Sequence, residues 1–401
     1  MNFTLQCPVY DSFRVRQIEG MFDVPIEQKS IQTFSLDDPP PLSNDWQIGL
    51  IVGPSGSGKS TVARRLYSNQ LFQGYPWPEN QSVLDAFPES VPVKEIIRLF
   101  TTVGFSSPPS WIKPYSVLSN GEKFRCDLAI ALALQNQTST DPSFVCEPKN
   151  PCVGTDSLNA DFGHSSAGAS QPNAGTTKLP LLVFDEFTSV VDRTVAMASS
   201  VALAKNIRSG LIPRRFLAVT CHYDCANWLE PDWILDMADG RLERRRLRRE
   251  ELKLEIVRTK NAAWELFKKH HYLSGSLSPM SVSYLAILDG KPVGFAAVLP
   301  LIGMKGRRRF TRLVVLPDYQ GLGIGMKMTE AVAQIYRDNG LRINLTASHP
   351  CVVGHCKKSP LWRAINVREA GSRQSDKFVK GYKSSCGRAV VSFEYFGRTS
   401  S

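Results

Sequence analysis

A glycine-rich turn between an apolar run and a helical run constrains the fold of this chain most. Residues 47–52, QIGLIV, have the composition of a short buried strand. They lead into a stretch that matches the pattern G-x-x-x-x-G-K-[ST]: Gly53, Pro54, Ser55, Gly56, Ser57, Gly58, Lys59, Ser60 and Thr61. Glycines let backbone N–H groups turn inward around phosphate oxygens, and the following helix adds its positive end. The stretch therefore predicts a loop for the phosphates of ATP, with Lys59 on the β- and γ-phosphates and Ser60 on Mg²⁺.

Two further strands end in residues that a phosphate site uses. Residues 179–187, LPLLVFDEF, run apolar to Asp185 and Glu186, and residues 215–224, RFLAVTCHYD, carry His222 just past an apolar run. Buried parallel strands deliver such residues to one edge of a sheet. We expect Asp185 to hold Mg²⁺, Glu186 to polarise the attacking water and His222 to contact the γ-phosphate.

The composition limits the class of protein. The chain has 401 residues, 42% hydrophobic and 21% charged, which predicts two or three globular domains. Because it has no run of eighteen apolar residues, no signal-peptide pattern and nine scattered cysteines, we expect a cytoplasmic protein without a membrane partner. Residues 137–178 are rich in Ser, Thr, Asn, Gly and Pro, which predicts a disordered insertion.

Charge is divided unevenly along the chain. Residues 241–401 hold 30 of the 48 Lys and Arg residues and 12 of the 37 acidic residues, so this half is strongly basic and residues 1–240 are acidic. The densest clusters are RLERRRLRREELKLEIVRTK at 241–260 and KGRRRF at 305–310. A solvated surface explains such clusters as well as a segment that follows nucleic-acid phosphates does. We expect DNA or RNA as a partner of the 241–401 half.

The order of motifs over about residues 20–245 resembles the ABC ATPase family. The phosphate loop is followed by LSNGE at 118–122, by VFDEFTSVVD at 183–192 and then by His222. Transporters of that family usually read LSGGQ, whereas LSNGE followed by Lys123 is more similar to soluble members that act on chromosomes and DNA breaks. A detached transporter subunit remains an alternative.

This resemblance implies a role for each matching residue. Ser119, Gly121 and Glu122 would cap the ATP held by a second subunit, and Asp192 would communicate across that dimer. Phe22 is a weaker candidate for stacking on adenine. Gln81 is a weaker candidate for sensing Mg²⁺ and the γ-phosphate, and Asp85 competes with it for that place. A signature site completes a nucleotide pocket only when two copies face each other, so we expect an ATP-dependent head-to-tail homodimer.

The second half repeats the strand, turn and helix pattern. Asp289-Gly290-Lys291 separates the apolar runs 281–288 and 292–301, which predicts a hairpin. We further predict a helix at 261–272 from the spacing of Ala262 and Leu266, strands at 310–317 and 341–348, and a helix at 328–340. Between the strand and the last helix, the pattern Q-x-x-G-x-G is matched by Gln320, Gly321, Leu322, Gly323, Ile324 and Gly325. A strand that ends in a glycine turn and opens a helix is an anion cradle.

In this order of elements, residues 250–395 resemble the GNAT acetyltransferase family. The resemblance implies that the backbone of Gln320–Gly325 grips the pyrophosphate of acetyl-CoA and that Leu313, Val314 and Val315 line the thioester. Nearly the whole chain resembles prokaryotic and phage proteins described as ABC-type ATPases fused to a predicted acetyltransferase. We therefore expect the fold class α/β, with an ABC-type P-loop ATPase domain at 1–245 followed by a GNAT α/β acyltransferase domain at 246–401.

The acyl acceptor is left open by the residues. Transfer to an amine needs a base, and the departing thiolate needs an acid. His349 follows a predicted strand end and is our candidate, with His271, Tyr272 and Ser359 as alternatives. His349, Cys351, His355 and Cys356 are close in sequence but lack the spacing of a zinc site, so we assign no zinc to them.

The combined prediction is an ATP-hydrolysing enzyme that also transfers an acyl group from acetyl-CoA, acting on or at nucleic acid. Two alternatives remain. One is an ATP-regulated acetyltransferase of a protein or tRNA, and the other is an ATP-switched binding protein whose GNAT domain is inactive.

Overall fold

The computed structural model describes residues 2–6, 12–23, 31–42, 45–134, 179–244, 252–271, 276–301, 303–369 and 389–397. The predicted insertion at 137–178, Tyr272 and residues 245–251 of the basic segment lie outside the described residues.

The strands form two large sheets and one separate pair. Their bounds, in chain order, are β1 (Asn2–Gln6), β2 (Ile31–Ser35), β3 (Ile48–Val52), β4 (Leu71–Phe72), β5 (Leu181–Phe184), β6 (Arg215–Thr220), β7 (Trp233–Asp236), β8 (Leu242–Glu243), β9 (Leu254–Thr259), β10 (Val282–Leu288), β11 (Lys291–Pro300), β12 (Arg307–Val315), β13 (Arg342–Ala347), β14 (Trp362–Arg368) and β15 (Val390–Tyr395). Among the described strands, β1 and β2 pair only with each other, antiparallel.

The α-helices lie between these strands. Their bounds are α1 (Phe13–Phe22), α2 (Lys59–Tyr67), α3 (Val93–Thr102), α4 (Pro108–Trp111), α5 (Asn120–Leu134), α6 (Arg193–Arg208), α7 (Cys225–Leu229), α8 (Ile324–Asp338) and α9 (Pro350–Lys358). Short 3₁₀ helices occupy Ser68–Gln70, Tyr115–Val117, Asn261–Leu266, Lys268–His270 and Pro317–Tyr319.

The first sheet has the strand order β4-β5-β6-β3-β7-β8. All its pairings are parallel except that of β7 with β8. Every residue of β3, β5 and β6 is buried, as expected where helices cover both faces of a parallel sheet. Because these three strands run in the same direction, their carboxyl ends meet at one edge.

The second sheet has the order β14-β15-β13-β12-β11-β10-β9 and is antiparallel apart from β12 with β13. Asp289 and Gly290 both have positive φ, 49° and 75°, and connect β10 to β11 as a two-residue hairpin turn. Lys291, predicted in the turn, already belongs to β11. The mixed α/β fold class expected from the sequence is confirmed.

Helix α6 connects the two cores. Its residues Leu203, Ala204 and Ile207 lie in the core of the first sheet. Ala198 and Val201 of the same helix lie in the core of the second sheet. One helix therefore buries one face against each half of the chain.

Two sequence predictions about helices need correction. Residues 261–272 form 3₁₀ turns over 261–266 and 268–270 rather than one helix, and Trp264 and Phe267 are buried while Leu266 is exposed. The three-residue spacing of the buried pair is that of a 3₁₀ turn. Helix α8 begins at Ile324, four residues earlier than predicted, because Gly323 is its N-cap. Within the described residues, no helix has the length and apolar character needed to cross a membrane.

Candidate functional site

The phosphate loop follows the carboxyl end of β3, which is an inner strand of the first sheet. Gly56 and Gly58 have φ of 80° and 85°, and Gly58 is the N-cap of α2 without a side-chain hydrogen bond to the helix. Lys59, only 8% exposed, donates from Nζ to the Pro54 carbonyl at 2.7 Å. The lysine side chain thus lies back across the loop. Because Gly58 provides no side-chain cap, the first N–H groups of α2 are available to an anion.

The predicted metal residues meet at the strand-end edge. Ser60 Oγ donates to Asp185 Oδ1 at 3.0 Å, although the two residues are far apart in sequence. Ser60 is in the first turn of α2, and Asp185 directly follows β5. A hydroxyl and a carboxylate side by side are the oxygen ligands that Mg²⁺ takes in nucleotide sites, so this pair fits the predicted ion.

Glu186 stands next to this pair on a strained backbone. Its φ is 51° and that of Thr188 is 66°, a region that non-glycine residues seldom occupy. Phe187 N–H donates to the Val219 carbonyl at 2.8 Å, which ties the turn to β6, and Thr188 is fully buried. The surrounding core therefore holds the Glu186 side chain outward, where it is exposed.

His222 lies past the end of β6, between the ends of β3 and β5. Its backbone N–H donates to Thr220 Oγ1 at 3.2 Å, and its carbonyl accepts from Cys225 N–H at 3.3 Å. The structure thus places Gly53, Asp185 and His222 each after a neighbouring strand of the parallel set β5-β6-β3. These are the positions from which side chains reach one ligand at a sheet edge.

The signature stretch is a capped helix start. Ser119 donates from both its N–H and its Oγ to Glu122 Oε2 at 3.0 Å, and Glu122 N–H donates back to Ser119 Oγ at 3.4 Å. This reciprocal pattern is the capping box S-x-x-E at the start of α5. Burial raises the pKa of Glu122, but hydrogen bonds from Ser110 and Ser119 and the charge of Lys113 outweigh it and hold the pKa below its ordinary value.

Asp192 caps the helix that follows the acidic strand. Its Oδ1 accepts from Thr194 N–H at 2.9 Å and from Val195 N–H at 3.1 Å at the start of α6. A Cβ on Gly121 would lie 3.2 Å from both methyl groups of Val195, so the starts of α5 and α6 touch. The structure thereby brings Gly121 of the predicted signature close to the helix start that Asp192 caps.

Two apolar side chains next to these motifs in the chain are exposed. Val117, directly before the signature, is 63% exposed, and Val190, just before Asp192, is 66% exposed. Ser119 and Asn120 are exposed between them in the chain. Isolated exposed valines are ordinary, but these flank both predicted dimer motifs.

The weaker candidates of the first half are not brought to this edge by any described contact. Phe22 is 65% exposed on α1, a helix without buried residues. Gln81 is exposed, and Asp85 accepts from Ser82 Oγ at 2.6 Å. Their predicted roles remain predictions.

In the second half, the sheet opens between β12 and β13. The two strands pair only from Arg307–Arg309 with Arg342–Asn344, and their remaining residues diverge. On its other side β12 pairs with β11, and the register is irregular at Thr311. Arg312 pairs with Ala297 and Phe310 pairs with Val298, so Thr311 has no partner in this register. Leu313, Val314 and Val315, the stretch predicted to line a thioester, lie past the last residue of β12 that pairs with β13, and Val314 is buried.

The predicted coenzyme loop lies at the carboxyl end of β12. Gly323, with φ 81°, is the N-cap of the fifteen-residue helix α8, which has no side-chain cap and no acidic residue in its first turn. Gln320 Nε2 donates to the Val315 carbonyl at 3.3 Å, and a Cβ on Gly325 would contact Val315 at 3.4 Å. The loop is thus held against the end of β12, with the positive helix end beside the opening.

His349 occupies a place between the two halves of the chain. Its Nδ1 accepts from Cys351 N–H at 3.3 Å as the N-cap of α9, and its ring lies 6.1 Å from the Trp111 ring of the first half. Burial lowers the pKa of His349, although an interaction with the Ser106 backbone opposes this. The ring is therefore neutral near pH 7, a state that a base requires, but one nitrogen is already used in capping. Its catalytic role remains a prediction.

The alternatives to His349 are spread over the second half. His271 lies against Trp264, with ring centroids 5.6 Å apart. Ser359 and His355 both lie near Glu330, whose Oε1 is 2.7 Å from His355 Nε2 and 3.5 Å from Ser359 Oγ. Across the described ranges, no three His, Cys, Asp or Glu side chains form a group that could hold a metal ion.

Sequence reasoning missed the residues of the first half that meet the coenzyme loop. Ser106 N–H donates to Gln320 Oε1 at 2.9 Å, and a Cβ on Gly104 would lie 2.8 Å from the Gln320 carbonyl oxygen. Lys205 of α6 reaches the same loop. Because these contacts join residues more than a hundred positions apart and follow no motif, the sequence contains no local signal for them.

Residues 249–351 match the model of the acetyltransferase (GNAT) family. A search of the curated proteins found no match.

Similar solved structures include acetyltransferases and ATP-binding cassettes. An IAA acetyltransferase from Bacillus cereus is 14% identical, with a TM-score of 0.28, and the match covers 36% of this chain and 99% of that one. The ribosomal-protein-S18-alanine N-acetyltransferase from Escherichia coli is 15% identical, with a TM-score of 0.28, and the match covers 36% of this chain and 93% of that one. A dimeric ATP-binding cassette in a post-hydrolysis state bound to ADP and Pi is 15% identical, with a TM-score of 0.32, and the match covers 49% of this chain and 84% of that one. What this α/β chain is similar to in sequence is therefore limited to residues 249–351, which match the acetyltransferase (GNAT) family model.

Proposed function

We propose that this protein is an ABC-type ATPase joined to an acetyl-CoA-dependent N-acyltransferase that acts on or at nucleic acid. The observation that carries the ATPase half is the hydrogen bond between Ser60 and Asp185 at the edge where β3, β5 and β6 end. It joins two motifs that were predicted separately to bind the same ion, and an isolated glycine turn would not require it.

Each residue of the strand-end edge has a task in this proposal. Lys59 and the first N–H groups of α2 bind the β- and γ-phosphates. Ser60 and Asp185 would hold Mg²⁺, which supplies positive charge against the phosphate oxygens when bound. Glu186 orients and polarises the attacking water, and His222 contacts the γ-phosphate.

Two copies of the chain would complete the nucleotide site. The proposal of an ATP-dependent head-to-tail dimer is supported by the exposed Ser119 at the start of α5, and by the exposed Val117 and Val190, which precede the two predicted dimer motifs in the chain. Burial of these valines between two copies would contribute to association, and hydrolysis would reverse it.

The test of the ATPase half is Glu186→Gln. The variant keeps the metal pair and the phosphate loop but lacks the carboxylate, so we expect ATP binding, loss of turnover by at least about a hundredfold and a stable dimer. Isothermal titration, phosphate release and light scattering with and without ATP and Mg²⁺ measure these three properties. Lys59→Ala is the matched control, which should neither bind ATP nor dimerise. Normal turnover by Glu186→Gln would remove Glu186 from the proposed role.

The acyltransferase half is supported by the family match at 249–351 and by the opening between β12 and β13 next to the loop Gln320–Gly325. Acetyl-CoA would lie with its pyrophosphate on this loop and its thioester along Leu313–Val315. His349 would act as the base for the incoming amine. Release of free CoA from acetyl-CoA, with nucleic acid or protein added as acceptor, tests this half. A chain that binds acetyl-CoA but never cleaves it would favour the inactive, ATP-switched binding protein.

Nucleic acid is the proposed partner because of the basic second half. Among its described residues, Arg307, Arg308 and Arg309 are consecutive on β12, and Arg363 and Arg368 lie exposed on the edge strand β14. Cations that neutralise phosphates release counterions, so affinity should fall steeply as salt rises. Fluorescence polarisation with labelled DNA and RNA at two salt concentrations tests this. An absence of salt-sensitive binding to either would favour the alternative in which the acceptor is a protein.

A further inference from the structure

The loop Gln320–Gly325 is built against the first half of the chain. A Cβ on Gly321, whose φ is 93°, would lie 2.8 Å from Ala202 Cβ on α6 and 3.0 Å from Gly104 Cα. Ser106 N–H donates to Gln320 Oε1 at 2.9 Å. The backbone of the loop and the surface of the ATPase half are therefore in direct contact, at a distance that only glycine at position 321 allows without displacement.

Helix α6 also brings a cation to this loop. Lys205 lies one turn after Ala202, is exposed, and places Nζ 3.6 Å from the point where a Cβ on Gly323 would be. Gly323 is the N-cap of α8, so the ammonium group stands beside the positive end of that helix.

The first turn of α8 contains no acidic residue to offset the ammonium group. The acidic residue shortly before the loop, Asp318, interacts electrostatically with the buried Arg125 of α5. A helix N-terminus and a lysine that converge on one point repel each other, and a bound phosphate group between them would reverse the sign of the interaction.

We propose that Lys205 binds the pyrophosphate of the coenzyme, so that the coenzyme site of the second half is completed by a residue of the first. This inference rests on the proposed function, in which Gln320–Gly325 binds acetyl-CoA. Lys205 then supplies a charge-assisted hydrogen bond that the loop itself, made of backbone N–H groups, does not contain.

The experiment is titration calorimetry of the full chain with acetyl-CoA, 3′-dephospho-CoA and pantetheine. For Lys205→Ala we expect about tenfold weaker binding of acetyl-CoA, the loss typical of one hydrogen bond to a charged group. We expect the same factor for 3′-dephospho-CoA, which keeps the pyrophosphate, and no change for pantetheine, which lacks it. Lys205→Arg should stay within about threefold of the natural chain, since guanidinium also binds phosphate.

The matched control is Lys94→Ala, which removes an exposed lysine from α3 in the same half of the chain. It should leave acetyl-CoA affinity unchanged, and both alanine variants should bind ATP as the natural chain does. Binding of acetyl-CoA that is equal in the natural chain and Lys205→Ala would overturn the role of Lys205 and leave the proposed function intact. If the natural chain itself binds no acetyl-CoA, the proposed function fails first. An equal loss with pantetheine would reveal a structural effect and also overturn the inference.

Discussion

Replacement of Gly321 by alanine tests the contact between the two halves of the chain. The new Cβ would be 2.8 Å from Ala202 Cβ and 3.0 Å from Gly104 Cα, whereas carbon atoms in contact are usually about 3.5–4.0 Å apart. Both neighbours belong to backbone or to a buried helix position, so neither is able to rotate away. Overpacking of this kind costs about 1–3 kcal/mol. The positive φ of 93° adds about 1–2 kcal/mol for a residue with a Cβ.

Gly340→Ala separates these two effects. Gly340 also has a positive φ, 70°, but no atom lies within 4 Å of its added Cβ. We expect Gly340→Ala to lower the free energy of unfolding by about 1–2 kcal/mol through backbone strain alone. Gly321→Ala should lower it by about 2–5 kcal/mol, the sum of strain and overpacking.

Denaturant unfolding followed by tryptophan fluorescence measures the difference, and acetyl-CoA affinity gives a second readout. We expect Gly321→Ala to weaken acetyl-CoA binding and Gly340→Ala to leave it unchanged. In the background of Ala202→Gly, which removes the nearest carbon, part of the Gly321→Ala loss should be recovered. Equal destabilisation by the two glycine variants, with no coupling to position 202, would refute the described contact between the loop and α6.

Two further predictions concern titratable groups. The pKa of Glu122 is lowered by its hydrogen bonds, so its charged form stabilises the fold above about pH 4.3, the ordinary pKa of glutamate, and this contribution is lost as pH falls through the lowered value. We therefore expect the free energy of unfolding of Glu122→Gln to be lower than that of the natural chain by less than about 1 kcal/mol at pH 7. This difference, measured by urea unfolding from pH 3 to 7, should shrink as the pH falls. A difference that grows in acid would contradict the prediction. Burial raises the pKa of Cys356 to about 12, so its thiol should resist iodoacetamide at pH 8 until the protein is unfolded, as peptide mass spectrometry would show. Labelling of Cys356 in the folded chain as fast as in a free peptide would be the opposite result.

The shape of the two glycine turns could be predicted because their parts are neighbours in the chain. In Gly53–Thr61 and Gln320–Gly325, the glycines, the helix start and the polar residues follow one another, so local sequence is enough to predict a turn that opens a helix. The strand ends carrying Asp185 and His222 could also be placed at one edge, because parallel strands share their direction.

Local spacing also carries structural information that the family resemblance leaves out. Ser119 and Glu122 have the spacing of a capping box, which is readable from sequence, whereas the resemblance assigns both to the ATP of a second subunit. The spacing of residues 261–272 predicts an α-helix, whereas burial of Trp264 and Phe267 against the second sheet selects 3₁₀ turns. Propensity is a weak guide where tertiary burial decides.

By itself the sequence determined the two glycine turns, the acidic strand end and the α/β class, since these depend on contiguous residues and on periodic burial. Only the tertiary structure decided that α6 is shared by both cores, that Gly104 and Gly321 meet, and that Lys205 lies beside Gly323. Such contacts join residues far apart in the chain, and they arise from the shape of packed surfaces, which no local pattern of residues encodes.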